Sequence, residues 1–80
     1  MTEEEMIEML EYFKVPKWMF DGSLSRPDTE WQIHKVEDGY TLFYVERYEK
    51  RPEYSAPYLS DVFAHVLGLC LVEAYERKFL

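Results

Sequence analysis

Three observations predict an α+β domain: helical apolar spacing at both ends of the chain, a β-hairpin signature between them, and a short proline-bounded segment suited to a sheet edge. Taken in order these give helix, hairpin, edge strand, helix. The expected architecture is an N-terminal helix, an antiparallel sheet of about three or four strands around a central hairpin, and a C-terminal helix packed on that sheet. With 80 residues, the chain is expected to be a single domain spanning residues 1–80.

The first helix is expected from about Glu3 to Phe13. Thr2 is placed to accept from the amide three residues on while Glu5 reaches back, the pattern of a capping box. Glu3, Glu4 and Glu5 also lie at the positive end of the helix macrodipole. Met6, Met9, Leu10 and Phe13 make one apolar stripe, and Val15-Pro16 stops the helix because proline excludes the preceding residue from the α region. Trp18, Met19 and Phe20 suit either a short strand or an anchor beneath a loop, ended by an Asp21-Gly22 turn. Ser23 to Asp28, with Arg26-Pro27-Asp28, reads as a connecting loop.

Two β-rich runs, Trp31–Glu37 and Tyr40–Tyr48, flank Asp38-Gly39, a type I′ turn signal. A turn on those two residues sets Glu37 opposite Tyr40, Ile33 opposite Tyr44 and Trp31 opposite Glu46. One face then carries Trp31, Ile33, Tyr40, Leu42 and Tyr44 and is expected to meet the core. The other carries Gln32, His34, Val36, Thr41, Phe43, Val45 and Arg47, which is too apolar for ordinary surface and calls for a cover. Glu49 to Glu53 reads as a polar turn, followed by an edge strand from Tyr54 to Tyr58 between Pro52 and Pro57. Ser60 is expected to cap a final helix running from Asp61 to about Lys78, with Arg77 and Lys78 at its negative end. Phe63, Val66, Leu67, Cys70, Leu71 and Ala74 form its stripe. Val62, Leu69 and Val72 widen it enough for two neighbours: the sheet, and either the first helix or a second subunit.

Charge narrows the function classes. Nine basic against sixteen acidic side chains leave a net charge of −7. That balance disfavours direct nucleic-acid binding and an anionic membrane surface. Residues 1–40 hold ten acidic and four basic side chains, and residues 41–80 hold six and five, so the front half points to a basic partner. Surplus carboxylates also serve plain solubility. The acidic N-terminus is unlike a signal peptide and the longest apolar run, Val66 to Val72, is far short of the ~20 residues that span a bilayer, so a cytoplasmic protein is expected.

Chemistry is sparse. There is no glycine-rich phosphate loop and no paired Cys or His at metal-ligand spacing, so neither cofactor nor metal is expected. His34 and His65 fall on different elements. Cys70 sits in an apolar run with no basic neighbour within a helical turn, as an inert buried thiol does. No nucleophile elbow or carboxylate cleft is indicated, so the chain is not expected to be an enzyme. Candidate partner contacts are Asp21, Asp28, Glu30, Glu37 and Asp38, with Tyr48 and Tyr54 as aromatic anchors among seven tyrosines. Structural roles are expected for Gly22, Arg26, Gly39, Glu46, Arg47 and Ser60. In particular, an Arg47 bond to Asp28 or Glu30 would tie the Arg-Pro-Asp loop to the sheet.

The segments VPKWMFDGSLSRPDTEWQIHKVEDGYTLFYVERYEK and YLSDVFAHVLGLCLVEAY resemble small bacterial immunity proteins of polymorphic toxin systems. The resembling positions are Trp18 and Phe20, Gly22, Arg26-Pro27-Asp28, Asp38-Gly39, Tyr44, Glu46-Arg47 and Ser60, within about residues 15–76. Such sequences often carry glycine after Glu-Arg, where this chain has Tyr48, so the second strand is expected to run on longer. The resemblance implies tight binding and neutralisation of a cognate toxin, one whose basic active-site cleft an acidic inhibitor covers. Two other classes are consistent with the residues: a homodimeric adaptor using the last helix and the second sheet face, and a phage-type acidic inhibitor of a nucleic-acid enzyme.

Overall fold

The structure is a computed structural model that describes residues 2–24 and 28–76. Helix α1 (Glu3–Tyr12) is followed by three strands, β1 (Trp31–Val36), β2 (Gly39–Glu46) and β3 (Glu49–Ala56), and by helix α2 (Leu59–Glu76). The expected α+β class holds. The strands form one antiparallel sheet in the order β1-β2-β3, with α2 lying against β2 and β3.

The capping box forms as the sequence indicates. Thr2 Oγ1 accepts from the Glu5 amide at 3.1 Å, and the Thr2 amide donates to Glu5 Oε1 at 3.1 Å. Those hydrogen bonds hold the Glu5 carboxyl below its ordinary range. At the other end Lys14 adopts a left-handed φ of 58°, and the Val15 amide closes back onto the Leu10 carbonyl at 2.9 Å. The chain then turns under α1. Gly22 has φ 85°, and a Cβ there would lie 2.9 Å from Ile7 Cγ1, so both conformation and space call for glycine. Met19 and Phe20 are fully buried as the anchor beneath this loop, and their segment runs beside the start of β1: the Glu30 amide donates to the Trp18 carbonyl and the Trp31 amide to the Met19 carbonyl, both at 2.9 Å.

The core joins Met6 and Leu10 of α1, Met19 and Phe20 of the loop, Ile33 and Leu42 of the hairpin, and Val62, Phe63, Val66 and Cys70 of α2. The two sheet faces divide as expected, with Trp31, Ile33, Leu42 and Tyr44 toward α2. The partners within the hairpin differ from expectation by two residues. Ile33 pairs with Leu42 and Trp31 with Tyr44, and the turn residues are Glu37-Asp38 rather than Asp38-Gly39. An even slip preserves the faces while changing every cross-strand neighbour. Gly39 instead opens β2 at φ 149°, where a Cβ would meet the Ala56 carbonyl oxygen and lie 2.7 Å from Pro57 Cα. The close approach of β3 selects this register.

The third strand begins earlier than the sequence suggests. Glu46 pairs with Glu49, so Arg47-Tyr48 alone form the β2–β3 turn, with φ of 50° and 69°. The second strand therefore stops at Glu46 instead of running on, and Glu49 to Glu53 is strand rather than polar turn. Pro52 is tolerated because β3 is an edge and because a bulge falls beside it: Leu42 faces Tyr54 while Phe43 faces Pro52. Helix α2 starts at Leu59, which places Ser60 inside the first turn rather than at the cap. Arg26, Arg77 and Lys78, expected in a loop tie and at a helix end, lie outside the described residues.

Candidate functional site

The second face of the sheet is not covered by α2. Its buried polar residues are held locally: Gln32, 3% exposed, donates from Nε2 to the Thr29 carbonyl at 3.2 Å and receives His34 Nε2 on its Oε1 at 3.1 Å. The His34 ring meets Phe43 edge-on at 5.3 Å. Burial, reinforced by the positive charge of Lys50, lowers the His34 pKa. Thr29 Oγ1 donates to the Trp31 carbonyl at 2.8 Å, which fixes the loop entering β1 over this face.

Where that loop meets the β2–β3 turn, an open groove of about 590 Å³ forms, lined by Trp18, Asp28, Glu30, Val45, Arg47 and Tyr48 together with Thr29. Trp18 is 47% exposed and Tyr48 104% exposed. Trp, Tyr and Arg are the residue types that dominate protein-interface energetics, because they offer large contact areas with a polar tip. Burial first, and then the Glu30 carboxylate to which it is hydrogen-bonded, push the Tyr44 phenol up. Glu30 is thereby tied to the sheet while lining the groove.

Of the seven residues expected to contact a partner, the fold brings three together here: Asp28, Glu30 and Tyr48. Glu37 and Asp38 sit beyond the other end of β1, seven and eight residues from Glu30 and so roughly 24 Å or more away at about 3.4 Å per residue. Asp21 Oδ1 accepts from the Ser23 amide at 2.9 Å and lines a separate depression against Ile7 and Lys17. Tyr54 is half-buried and stacks flat on His65, with centroids 4.1 Å apart and planes within 5°. It belongs to the α2 side of the sheet, away from the groove.

Among the expected structural residues, Gly22 and Gly39 occupy positions that need glycine. Glu46 accepts from Arg51 Nη2 at 3.3 Å, and the same guanidinium lies 6.0 Å from the Tyr44 ring centroid. Arg47 departs from expectation. It makes no ion pair with Asp28 or Glu30 among the described residues and is exposed in the turn as part of the groove wall. The left-handed backbone at Arg47 carries the side chain away from where a continuing strand would put it. Trp18 and Arg47 are thus the groove residues that the sequence assigned elsewhere.

Cys70 is buried on α2, and desolvation, followed by the Glu73 and Glu30 carboxylates, pushes its thiol up to about 12, where it is protonated at neutral pH. Trp31 Nε1 donates to Glu73 Oε2 at 3.5 Å, linking β1 to the end of α2. Among the described residues no group of three or more His, Cys, Asp or Glu side chains is placed to hold a metal ion, and no helix is long and apolar enough to cross a membrane. No protein-family model, curated protein or solved structure matches this chain.

Proposed function

We propose that this chain is a non-catalytic inhibitor of the immunity-protein kind, which binds a cognate bacterial toxin in the cytoplasm of the producing cell through the groove at the Trp18–Tyr48 end of the sheet. The observation that carries the reading is the meeting of Trp18, Arg47 and Tyr48 with the Asp28 and Glu30 carboxylates on one open surface. Such a surface suits a protein better than a metabolite, because the groove does not enclose a ligand as small-molecule sites do. The net charge of −7 favours a target with a basic cleft and speeds encounter with it. In this reading Tyr48 enters a pocket of the toxin, Trp18 flanks it, and the carboxylates meet basic groups that would otherwise hold the toxin's substrate.

The test is to express each reading frame neighbouring this one with and without the chain. One neighbour is expected to arrest growth alone and to be silenced by co-expression. If no neighbour is toxic, or toxicity persists with the chain present, the reading fails. With the toxin in hand, Tyr48→Ala is expected to weaken binding at least about tenfold, as loss of a hot-spot residue does. Charge reversal at Asp28 should slow association at low salt, whereas reversal at Glu37 or Asp38, beyond the groove, should slow it far less.

A further inference from the structure

Helix α2 carries an outer face that nothing in the monomer explains. Between Asp61 and Glu73 the helix holds no Asp, Glu, Lys or Arg for eleven residues, three full turns. The buried side is formed by Val62, Phe63, Val66, Leu67, Cys70 and Ala74. The opposite side presents Ala64, Gly68, Val72 and Tyr75 to solvent, with Val72 58% and Tyr75 76% exposed, while His65 at its flank stacks on Tyr54. A helix that rests on a core with one side normally sets charged residues on the other, as α1 does with Glu4, Glu8 and Glu11.

Gly68 sharpens the anomaly. Its φ is not in the left-handed region, and a Cβ added there would meet nothing within 4 Å. Glycine in the middle of a helix costs stability relative to alanine, and here neither conformation nor space within the monomer calls for it. The remaining physical reason for glycine is the close approach of another backbone to this face.

We propose that two copies of this chain pair antiparallel through the outer face of α2, about a two-fold axis beside Gly68. Gly68 sits next to the midpoint of Leu59–Glu76, so such an axis overlays the whole length of both helices. It sets Ala64 of each copy against Val72 of the other, and Asp61 within reach of a tyrosine hydroxyl at position 75. The interface is isologous, the same patch serving both copies. A second copy is the occupant that the charges favour: chains of net charge −7 repel one another, and this uncharged face is where they approach with least repulsion. A basic partner would find carboxylates only at the ends of this face, in Asp61 and Glu76. One helix of roughly 27 Å length buries less than the ~800 Å² per partner of a standard stable interface, so the dimer is weak and concentration-dependent.

The experiment is sedimentation equilibrium of the full chain from about 10 to about 500 µM, where a weak dimer is populated by mass action. The weight-average mass is expected to climb from 9.7 kDa toward twice that value. Gly68→Leu and Val72→Glu, both placed in open space, should keep the circular dichroism of the parent and raise the dissociation constant at least about tenfold. Gly68→Ala should melt at a higher temperature as a monomer while associating less. A mass that stays at the monomer value across the range, or one that rises equally in the parent, Gly68→Leu and Val72→Glu, overturns the proposal.

Discussion

The two hairpin turns lie at opposite ends of the sheet and solve the same problem differently. At the β1–β2 end, Glu37 and Asp38 keep ordinary negative φ values and the demanding conformation falls on Gly39, pressed against Ala56 and Pro57. At the β2–β3 end, both turn residues take left-handed φ values and neither is glycine. A left-handed non-glycine residue costs about 1–2 kcal/mol. Tyr48 does not recover that cost by burial, because its side chain is fully exposed. The first turn is thus shaped by what packs against it. The second sets both residues in the left-handed region that a two-residue type I′ hairpin turn requires, and does so with an arginine and a fully exposed tyrosine in place of the usual Asn-Gly.

Two substitutions test that contrast. The largest effect is expected at Gly39: Gly39→Ala adds a Cβ onto the Ala56–Pro57 backbone and should lower unfolding free energy by about 2–4 kcal/mol in urea titrations. A loss well under about 1 kcal/mol would mean that β3 does not hold the first turn in place. At the other end, Tyr48→Gly should change stability in the opposite direction. Relief of strain, partly offset by the entropy of glycine in the unfolded chain, predicts a gain of up to about 1 kcal/mol, while under the proposed function binding of the toxin falls. A less stable Tyr48→Gly protein would show that the ring supports the monomer after all, and would erase the contrast between the turns.

The smallest effect concerns the open face between them. The His34 pKa is lowered in the folded state by burial and by Lys50, so the unfolded chain binds more protons between that value and 6.5. The contribution is fully present above pH 6.5 and is lost as pH falls through this window. Denaturation midpoints from pH 8 to pH 5 should therefore show a decline that shrinks in His34→Gln, and shrinks partly in Lys50→Gln. An unchanged slope in both variants would mean that His34 is solvated on that face rather than held against Phe43 and Gln32.

Much of the scaffold was legible along the chain because its signals are local. Thr2 and Glu5 stand three residues apart, and the capping box follows. Alternation in the two hairpin strands sorted the core face from the open face, and that sorting survived a register error, since a slip of two leaves parity intact. The candidate site was legible only in part. Asp28, Glu30 and Tyr48 follow from residue type, but along the chain Trp18 suits a short strand or a loop anchor and Arg47 a loop tie. Glu37 and Asp38 shared the same acidity without sharing a surface, because one strand separates them from the groove.

What the sequence determined by itself is the element order, the helix start and the apolar face of each element, all of which depend on neighbours within a few residues. Tertiary structure decided the turn positions, the extent of β3 and the membership of the groove. Asp38-Gly39 is a good isolated hairpin turn, yet the approach of Ala56 and Pro57 moves glycine out of the turn and into the strand. Arg47-Tyr48 is a poor isolated turn, yet pairing of seven β2 residues with β3 compels it. Local preferences of a kilocalorie or so yield when a whole ladder of hydrogen bonds and a buried face depend on the alternative.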